Sequence, residues 1–179
     1  ESGVETTRTF DGNDQLLTET DELGNTTTYV YDANRNLTST TDPLGNVTRF
    51  TYDAKGNALT TTDPRGGITT NLYDAESNLT RTTDAAGAVT NFTYNTKGEL
   101  LTELDTLANL TSYQYDSRGR VTRETNALGQ ISTSTYNSNG DRLTETRTRT
   151  LGDGTIATGE VRSTVSMDGV VVIGEGEKD

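Results

Sequence analysis

Two columns of aspartates recur at 21-residue intervals: Asp11, Asp32, Asp53, Asp74 and Asp116 in one, and Asp21, Asp42, Asp63, Asp84 and Asp105 in the other. Carboxylates in such an array can converge on a hard cation such as Ca²⁺, or they can cap backbone N–H groups in turns. If each interval is one hairpin, equivalent positions lie two strands apart, about 9–10 Å. That is too far for those atoms alone to share an ion, so capping is the expected role. The chain has no His and no Cys, no Gly-rich phosphate loop and no nucleophile beside a matched base. No catalytic centre, metal site or cofactor is read from it. Six Asn-Xaa-Thr patterns, beginning at Asn25, Asn36, Asn46, Asn78, Asn91 and Asn109, fit the glycosylation acceptor. They arise automatically where a turn Asn precedes a strand Thr.

The elements that carry these residues follow from the interval itself. Phe10-Asp11, Tyr31-Asp32, Tyr52-Asp53, Tyr73-Asp74, Tyr94-Asn95, Tyr115-Asp116 and Tyr136-Asn137 form an unbroken series. A short unit repeated without insertion implies one supersecondary element stacked on its own copies. Each unit holds two turn signals, shown by Asp32-Ala33-Asn34-Arg35-Asn36 and Asp42-Pro43-Leu44-Gly45, with glycine recurring at Gly24, Gly45, Gly66, Gly87 and Gly129. Asp opens the turn, Pro presets φ and Gly accepts φ > 0. Between the turns lie short Thr-rich runs without a helical apolar stripe. These are read as strands.

Each unit is therefore a β-hairpin, and the series an antiparallel meander. If Asp42–Gly45 is a four-residue loop, Thr41 opposes Asn46 and Leu37 opposes Phe50. The same count sets Leu16 against Tyr29, Leu79 against Phe92, Leu100 against Tyr113, Ala58 against Asn71 and Val121 against Ser134. The odd repeat length then needs an odd second loop, Asp32 to Asn36, with Tyr31 opposite Leu37. A three-residue turn with a bulge has the same parity. An aromatic and leucine row is expected on one face near the Tyr-Asp turns. A weaker apolar column, Thr26, Val47, Ile68, Val89, Leu110 and Ile131, is expected on the other.

Composition limits what such a sheet can build. Hydrophobic residues make up 29%, aromatics 6%, and the net charge is −12. A two-layer sandwich needs more apolar area to offset about 1–2 kcal/mol of backbone ordering entropy per residue. The expected fold is all-β: a single curved or spiralling sheet, wetted on much of both faces. Its open edges invite pairing with further repeats or another copy. The acidic balance argues against nucleic acid, and no apolar run is long enough to span a membrane. The absence of Cys and the Thr/Asn/Asp-rich repeats suit a bacterial secreted or cell-surface protein.

The phrase from Tyr31 to Thr48, Tyr-Asp-Ala-Asn-Arg-Asn-Leu-Thr-Ser-Thr-Thr-Asp-Pro-Leu-Gly-Asn-Val-Thr, resembles the YD repeat of the RHS (rearrangement-hotspot) family. The repeat-defining residues are Phe10, Tyr31, Tyr52, Tyr73, Tyr94, Tyr115 and Tyr136, with the aspartates and glycines named above. The resemblance implies a β-strip wound into a hollow shell, as in polymorphic toxins and toxin-complex components, where the shell encloses a C-terminal toxin. Similar repeats serve adhesion in animal teneurins. The family's autoprotease segment, with its Asp-Pro-Xaa-Gly core, is not matched. Asp42-Pro43-Leu44-Gly45 and Asp63-Pro64-Arg65-Gly66 share its letters but sit in ordinary repeats.

Three segments are expected: a partial repeat strand at 1–9, the β-strip at 10–146, and a divergent strand, cap or flexible tail at 147–179. The start near mid-repeat suggests a piece of a longer polypeptide. The run 167–179 resembles a segment of class II fructose-1,6-bisphosphatases, in which acidic residues of a Gly-Glu-Gly-Glu stretch help hold metal. It lacks every other part of that enzyme and is read instead as a strand, Val170 to Ile173, before an acidic end. Glu175 and Glu177 would carry any metal-dependent activity, and none is expected. The expected function is a structural shell that encloses or displays a passenger, its Thr-rich wall wettable enough not to bind that passenger tightly. The alternative is an adhesive or carbohydrate-binding surface built from exposed Tyr and Asn/Asp columns.

Overall fold

The computed structural model describes residues 5–150, 156–165 and 171–176. All regular structure among them is β. The strands are β1 (Thr7–Phe10), β2 (Leu16–Thr20), β3 (Thr26–Tyr31), β4 (Leu37–Thr41), β5 (Val47–Tyr52), β6 (Ala58–Thr62), β7 (Ile68–Tyr73) and β8 (Leu79–Thr83). They continue as β9 (Val89–Tyr94), β10 (Leu100–Leu104), β11 (Leu110–Tyr115), β12 (Val121–Thr125), β13 (Ile131–Tyr136), β14 (Arg142–Thr150), β15 (Ile156–Val165) and β16 (Val171–Gly176). The chain divides into two compact units, one ending at Val89 and one beginning at Thr90. The first carries β1 to β8 and the second β9 to β16, and in both the sheet neighbours are chain neighbours. The meander is open and antiparallel, as the turn and strand signals imply.

One five-residue turn, used at every connection from β1 to β14, makes this possible. At Asp42–Asn46 the Asp42 N–H donates to the Asn46 carbonyl (3.0 Å) and the Gly45 N–H to the Asp42 carbonyl (2.9 Å). The fourth residue must enter the left-handed region, as Gly45 does at φ +83°, a conformation that costs a side-chain-bearing residue about 1–2 kcal/mol. Asp14, Arg35, Ser77 and Ala108 hold the same place without being glycine.

The expected four-residue loop at Asp42–Gly45 is corrected by the register. Thr41 pairs with Val47, Thr40 with Thr48 and Ser39 with Arg49, so Leu37 does not oppose Phe50. The same one-residue displacement overturns Leu16–Tyr29, Ala58–Asn71, Leu100–Tyr113 and Val121–Ser134. The physical reason is the Asp side chain, which reaches the N–H groups two and four residues on and so closes the loop around five residues.

With both turns of equal length, the odd period needs another source. It comes from the strands. Tyr31 does pair with Leu37, but the next pair is Val30 with Ser39, leaving Thr38 without a cross-strand partner. Every hairpin closed by a Phe-Asp, Tyr-Asp or Tyr-Asn turn carries this bulge, at Leu17, Thr38, Leu59, Thr80, Leu101, Thr122 and Leu143. Bulges bend the strand and increase its twist. The strands from β14 to β16 pair in straight register without one.

Side chains alternate between two faces. In β5, Arg49 and Thr51 are exposed while Thr48, Phe50 and Tyr52 are half-buried, so the aromatics share one face. Val47 shares the other with Arg49. On that second face Ile68 is 50% exposed and Leu110 47%. Among the described residues none is fully buried, apolar or polar. Within each unit the described strands form a wall without a buried interior.

Candidate functional site

The repeated residues assemble into three systems along this wall. The first is the turn cap. The Asp42 carboxylate accepts from the N–H groups of Leu44 (2.9 Å) and Asn46 (2.8 Å) through Oδ1, and from the Asn46 side-chain amide (2.7 Å) through Oδ2. Asp21, Asp32, Asp53, Asp74 and Asp105 repeat the arrangement with Asn25, Asn36, Asn57, Asn78 and Asn109. Asn95, Asn126 and Asn137 replace the acid and keep the Oδ1 contacts. Hydrogen bonds to the ionised form favour it, and the side-chain amides of the fifth residue are the largest influence holding Asp21, Asp32, Asp42, Asp53, Asp74 and Asp105 below the usual carboxylate range. Asp11, whose fifth residue is Gln15, is lowered mainly by the Gln15 N–H. Asp116, bonded by the Arg120 guanidinium and N–H, lies at about 2. The acids therefore face their own turns. Among the described residues no three metal-ligating side chains come together.

The second system explains the tyrosine. The Tyr52 hydroxyl donates to the Leu37 carbonyl across the sheet at 2.8 Å. Tyr73 bonds Ala58 (3.1 Å), Tyr115 bonds Leu100 (2.8 Å) and Tyr136 bonds Val121 (2.7 Å). Each acceptor is the residue just before the bulge of the preceding hairpin, so the ring covers the bulge and its hydroxyl satisfies a carbonyl there. Asn71, at the aromatic position two residues before Tyr73, donates to the same Ala58 carbonyl at 3.0 Å. Phe10 sits at a strand with no preceding hairpin among the described residues and is 54% exposed. Burial raises the Tyr52, Tyr113 and Tyr115 phenols above their ordinary range. Their hydroxyls stay protonated donors at any ordinary pH.

The third system ties successive Tyr-Asp turns together. Lys55 donates to the Ala75 carbonyl, Lys97 to the Ser117 carbonyl (3.3 Å) and Arg118 to the Ser138 carbonyl. Arg120 donates to the Asn137 carbonyl (2.9 Å) and stands 4.6 Å from the centre of the Tyr136 ring, within reach of a cation–π contact. Sequence reasoning named the tyrosines and aspartates but missed these cations. Their signal was a long basic residue recurring at the third or fifth turn position.

The aromatic face is interrupted near β13. Ser132 and Ser134 stand where other repeats carry Thr and a larger side chain, and a shallow hollow opens there between Tyr113, Glu124, Tyr136 and Glu145. Glu145 is held by Arg142 (2.9 Å) and Arg147 (2.6 Å). The opposite turn edge carries nearly fully exposed leucines, Leu23, Leu44, Leu107 and Leu128. Of the terminal run, the backbone of 171–176 forms β16, which includes Glu175. Val170 and Glu177 lie outside the described residues.

With the hairpin, its bulge and its capped turns in place, the family follows. The model of the RHS repeat matches residues 10–47, 36–68, 73–110, 94–131 and 115–156. The chain belongs to the RHS repeat family. No curated protein matches its sequence. Among solved structures, TcdB2-TccC3-TEV aligns with a TM-score of 0.73 at 17% identity over 95% of this chain. The Tc holotoxin pore of Photorhabdus luminescens, with the mutation TccC3-D651A, gives 0.71 at 18% over 94%, and TcdB2-TccC3 gives 0.68 at 19% over 94%. At these identities the likeness is one of fold. The chain spans 11%, 10% and 10% of those three chains.

Proposed function

We propose that this chain is a stretch of shell wall in an RHS protein and that the wall encloses a passenger, a C-terminal toxin in the complete polypeptide. The observation that carries this reading is a regular sheet with no buried residue among those described. Such a sheet has little use as a compact globule, and its merit is area. Its faces are dominated by Thr, Ser, Asn and charged groups. An unfolded passenger against them finds hydrogen-bonding partners it can exchange with water.

The role is structural and no residue of the chain is assigned a chemical step. Similarity of fold to parts of TcdB2-TccC3 assemblies supports the shell reading, and a shell that delivers a toxin belongs outside the producing cell or at its surface. Further repeats on either side are its expected partners. The sugar-binding alternative loses ground because four of the tyrosine hydroxyls it needs are engaged in the wall itself.

Limited proteolysis of the full-length polypeptide tests the reading. The C-terminal passenger should survive protease as long as the wall is intact, and become sensitive when Tyr52, Tyr115 and Tyr136 are together replaced by Phe at a temperature that loosens the strip. Equal sensitivity in both forms would refute enclosure.

A further inference from the structure

We infer that the building unit of this wall is not the 21-residue repeat but a tile of two repeats, 42 residues and four strands, held in phase by the residue at each bulge. The inference rests on geometry alone and is independent of what the wall encloses. The bulge residue, the one without a cross-strand partner, alternates along the chain: Leu17, Thr38, Leu59 and Thr80 in the first unit, Leu101, Thr122 and Leu143 in the second.

A second, neighbouring feature alternates with it. Beside each leucine bulge the next pair is Thr with Thr, and the two hydroxyls bond: Thr9 with Thr18 (2.6 Å), Thr51 with Thr60 (2.7 Å), Thr93 with Thr102 (2.6 Å) and Thr135 with Thr144 (2.6 Å). Beside each threonine bulge that pair is something else, Val30 with Ser39, Leu72 with Arg81 and Gln114 with Arg123. There the bulge threonine itself supplies the fastener. The Thr38 hydroxyl donates to the Val30 carbonyl (3.1 Å), Thr80 to Leu72 (3.1 Å) and Thr122 to Gln114 (3.2 Å). Each bulge is thus secured by one hydroxyl device, of two kinds in strict alternation.

Packing supplies the reason for the phase. The sheet order sets Tyr31 between the bulges of Leu17 and Thr38, and Tyr52 between those of Thr38 and Leu59. Tyr31 and Tyr52 thus each lie on a strand flanked by one leucine bulge and one threonine bulge. On the tile reading, two leucines would crowd the strand between them and two threonines would leave it short of contact, and both errors destabilise. A wall of this kind lengthens or shortens without a fault only in steps of two repeats.

Deletions in the full chain separate this from a simple array. Removing residues 32–73 takes out two repeats and leaves Tyr31 between Leu17 and Thr80, in phase. Removing residues 32–52 takes out one and leaves it between Leu17 and Leu59. In an additive array the shorter product is the less stable. We expect the reverse: the two-repeat deletion melts several degrees higher than the one-repeat deletion. A one-repeat deletion that melts at or above the two-repeat deletion would overturn the tile.

Should either deletion fail to fold, the variant Val30→Thr/Thr38→Leu/Ser39→Thr tests the same point. It converts one threonine bulge into the leucine kind and keeps a hydroxyl pair, but sets Tyr31 and Tyr52 between two leucines each. It should lower the melting temperature by several degrees. An unchanged or raised value would count against the tile.

Discussion

Replacing Tyr52 by Phe removes one atom and one hydrogen bond, the 2.8 Å contact to the Leu37 carbonyl. The ring stays, and with it the cover over the bulge. A net hydrogen bond of this type contributes about 0.5–1.5 kcal/mol, and the carbonyl left behind is half-buried beside the ring, so about 1 kcal/mol is expected. For a chain of this size that corresponds to a melting shift of roughly 2–4 °C. Thermal unfolding followed by circular dichroism near 215 nm, with urea titration for the free energy, reads both. Two internal comparisons sharpen the test. Tyr73→Phe should cost less, because Asn71 still donates to the Ala58 carbonyl at 3.0 Å. Tyr29→Phe, at the aromatic position two residues earlier on its strand, should cost least, since its hydroxyl makes no hydrogen bond among the described residues. If Tyr52→Phe matches Tyr29→Phe, or Tyr73→Phe is as harmful as Tyr52→Phe, the tyrosine in this repeat is an apolar filler and the bond to the bulge contributes nothing.

The turns give three further expectations. Asp53→Ala should lower the melting temperature clearly more than Asp53→Asn, because Asn keeps the Oδ1 acceptor that Asn95, Asn126 and Asn137 already use; equal losses would mean that the charge, and not the cap, matters. Asp11, Asp21, Asp32, Asp42, Asp53, Asp74 and Asp105 are held below the ordinary carboxylate range by their turn hydrogen bonds, and Asp116 lies at about 2. Their stabilisation is complete above the unfolded value and is lost as pH falls through the folded ones. The urea midpoint should therefore hold steady from pH 7 to about 5 and fall between about 4 and 2; a decline already at pH 6 would place the sensitive groups elsewhere. Ala108 holds φ +63°, so Ala108→Gly should stabilise the chain by about 0.5–1 kcal/mol, measurable as a rise in the urea midpoint, and a loss would show that its methyl group packs usefully.

How much of this was legible before the structure depends on which physical rule set each feature. Turn and strand positions were readable because Asp, Pro and Gly act locally. The wall without a core was readable from composition alone. The pairing of Tyr31 with Leu37 was readable too, but the register across the Asp42 type of turn was not. A five-residue loop and a four-residue loop place Asp and Gly in the same relative positions, and only the carboxylate's reach to the fifth N–H distinguishes them. The odd period admits either an odd second loop or a shorter turn with a bulge; the structure combines a five-residue loop with a bulge at Thr38 and its equivalents. The tyrosine hydroxyl bond joins residues 15 apart across two different strands, and nothing in the local pattern points to it. The alternation of Leu17, Thr38, Leu59 and Thr80 was in plain view, but it has no meaning until the bulge identifies those positions as the same one.

That bulge connects the fold to the enclosure proposed for it. A meander of equal strands and equal turns would have an even period, and nothing in it would favour one direction of bending over the other. Adding one residue to every second strand, always at the same end, introduces a bend of the same sense in each repeat. The cost falls on the backbone groups that the bulge leaves unpaired. Two side-chain devices bear on it: a tyrosine hydroxyl from the next hairpin bonds the carbonyl just before the bulge, and at the threonine bulges the bulge hydroxyl bonds a carbonyl of the partner strand. Both can be repeated indefinitely, because neither depends on a buried centre that would fill up. Curvature and length in such a strip are thus set independently, the first by the bulge and the second by the number of repeats. An enclosure of arbitrary size needs that separation, and a globular domain does not have it.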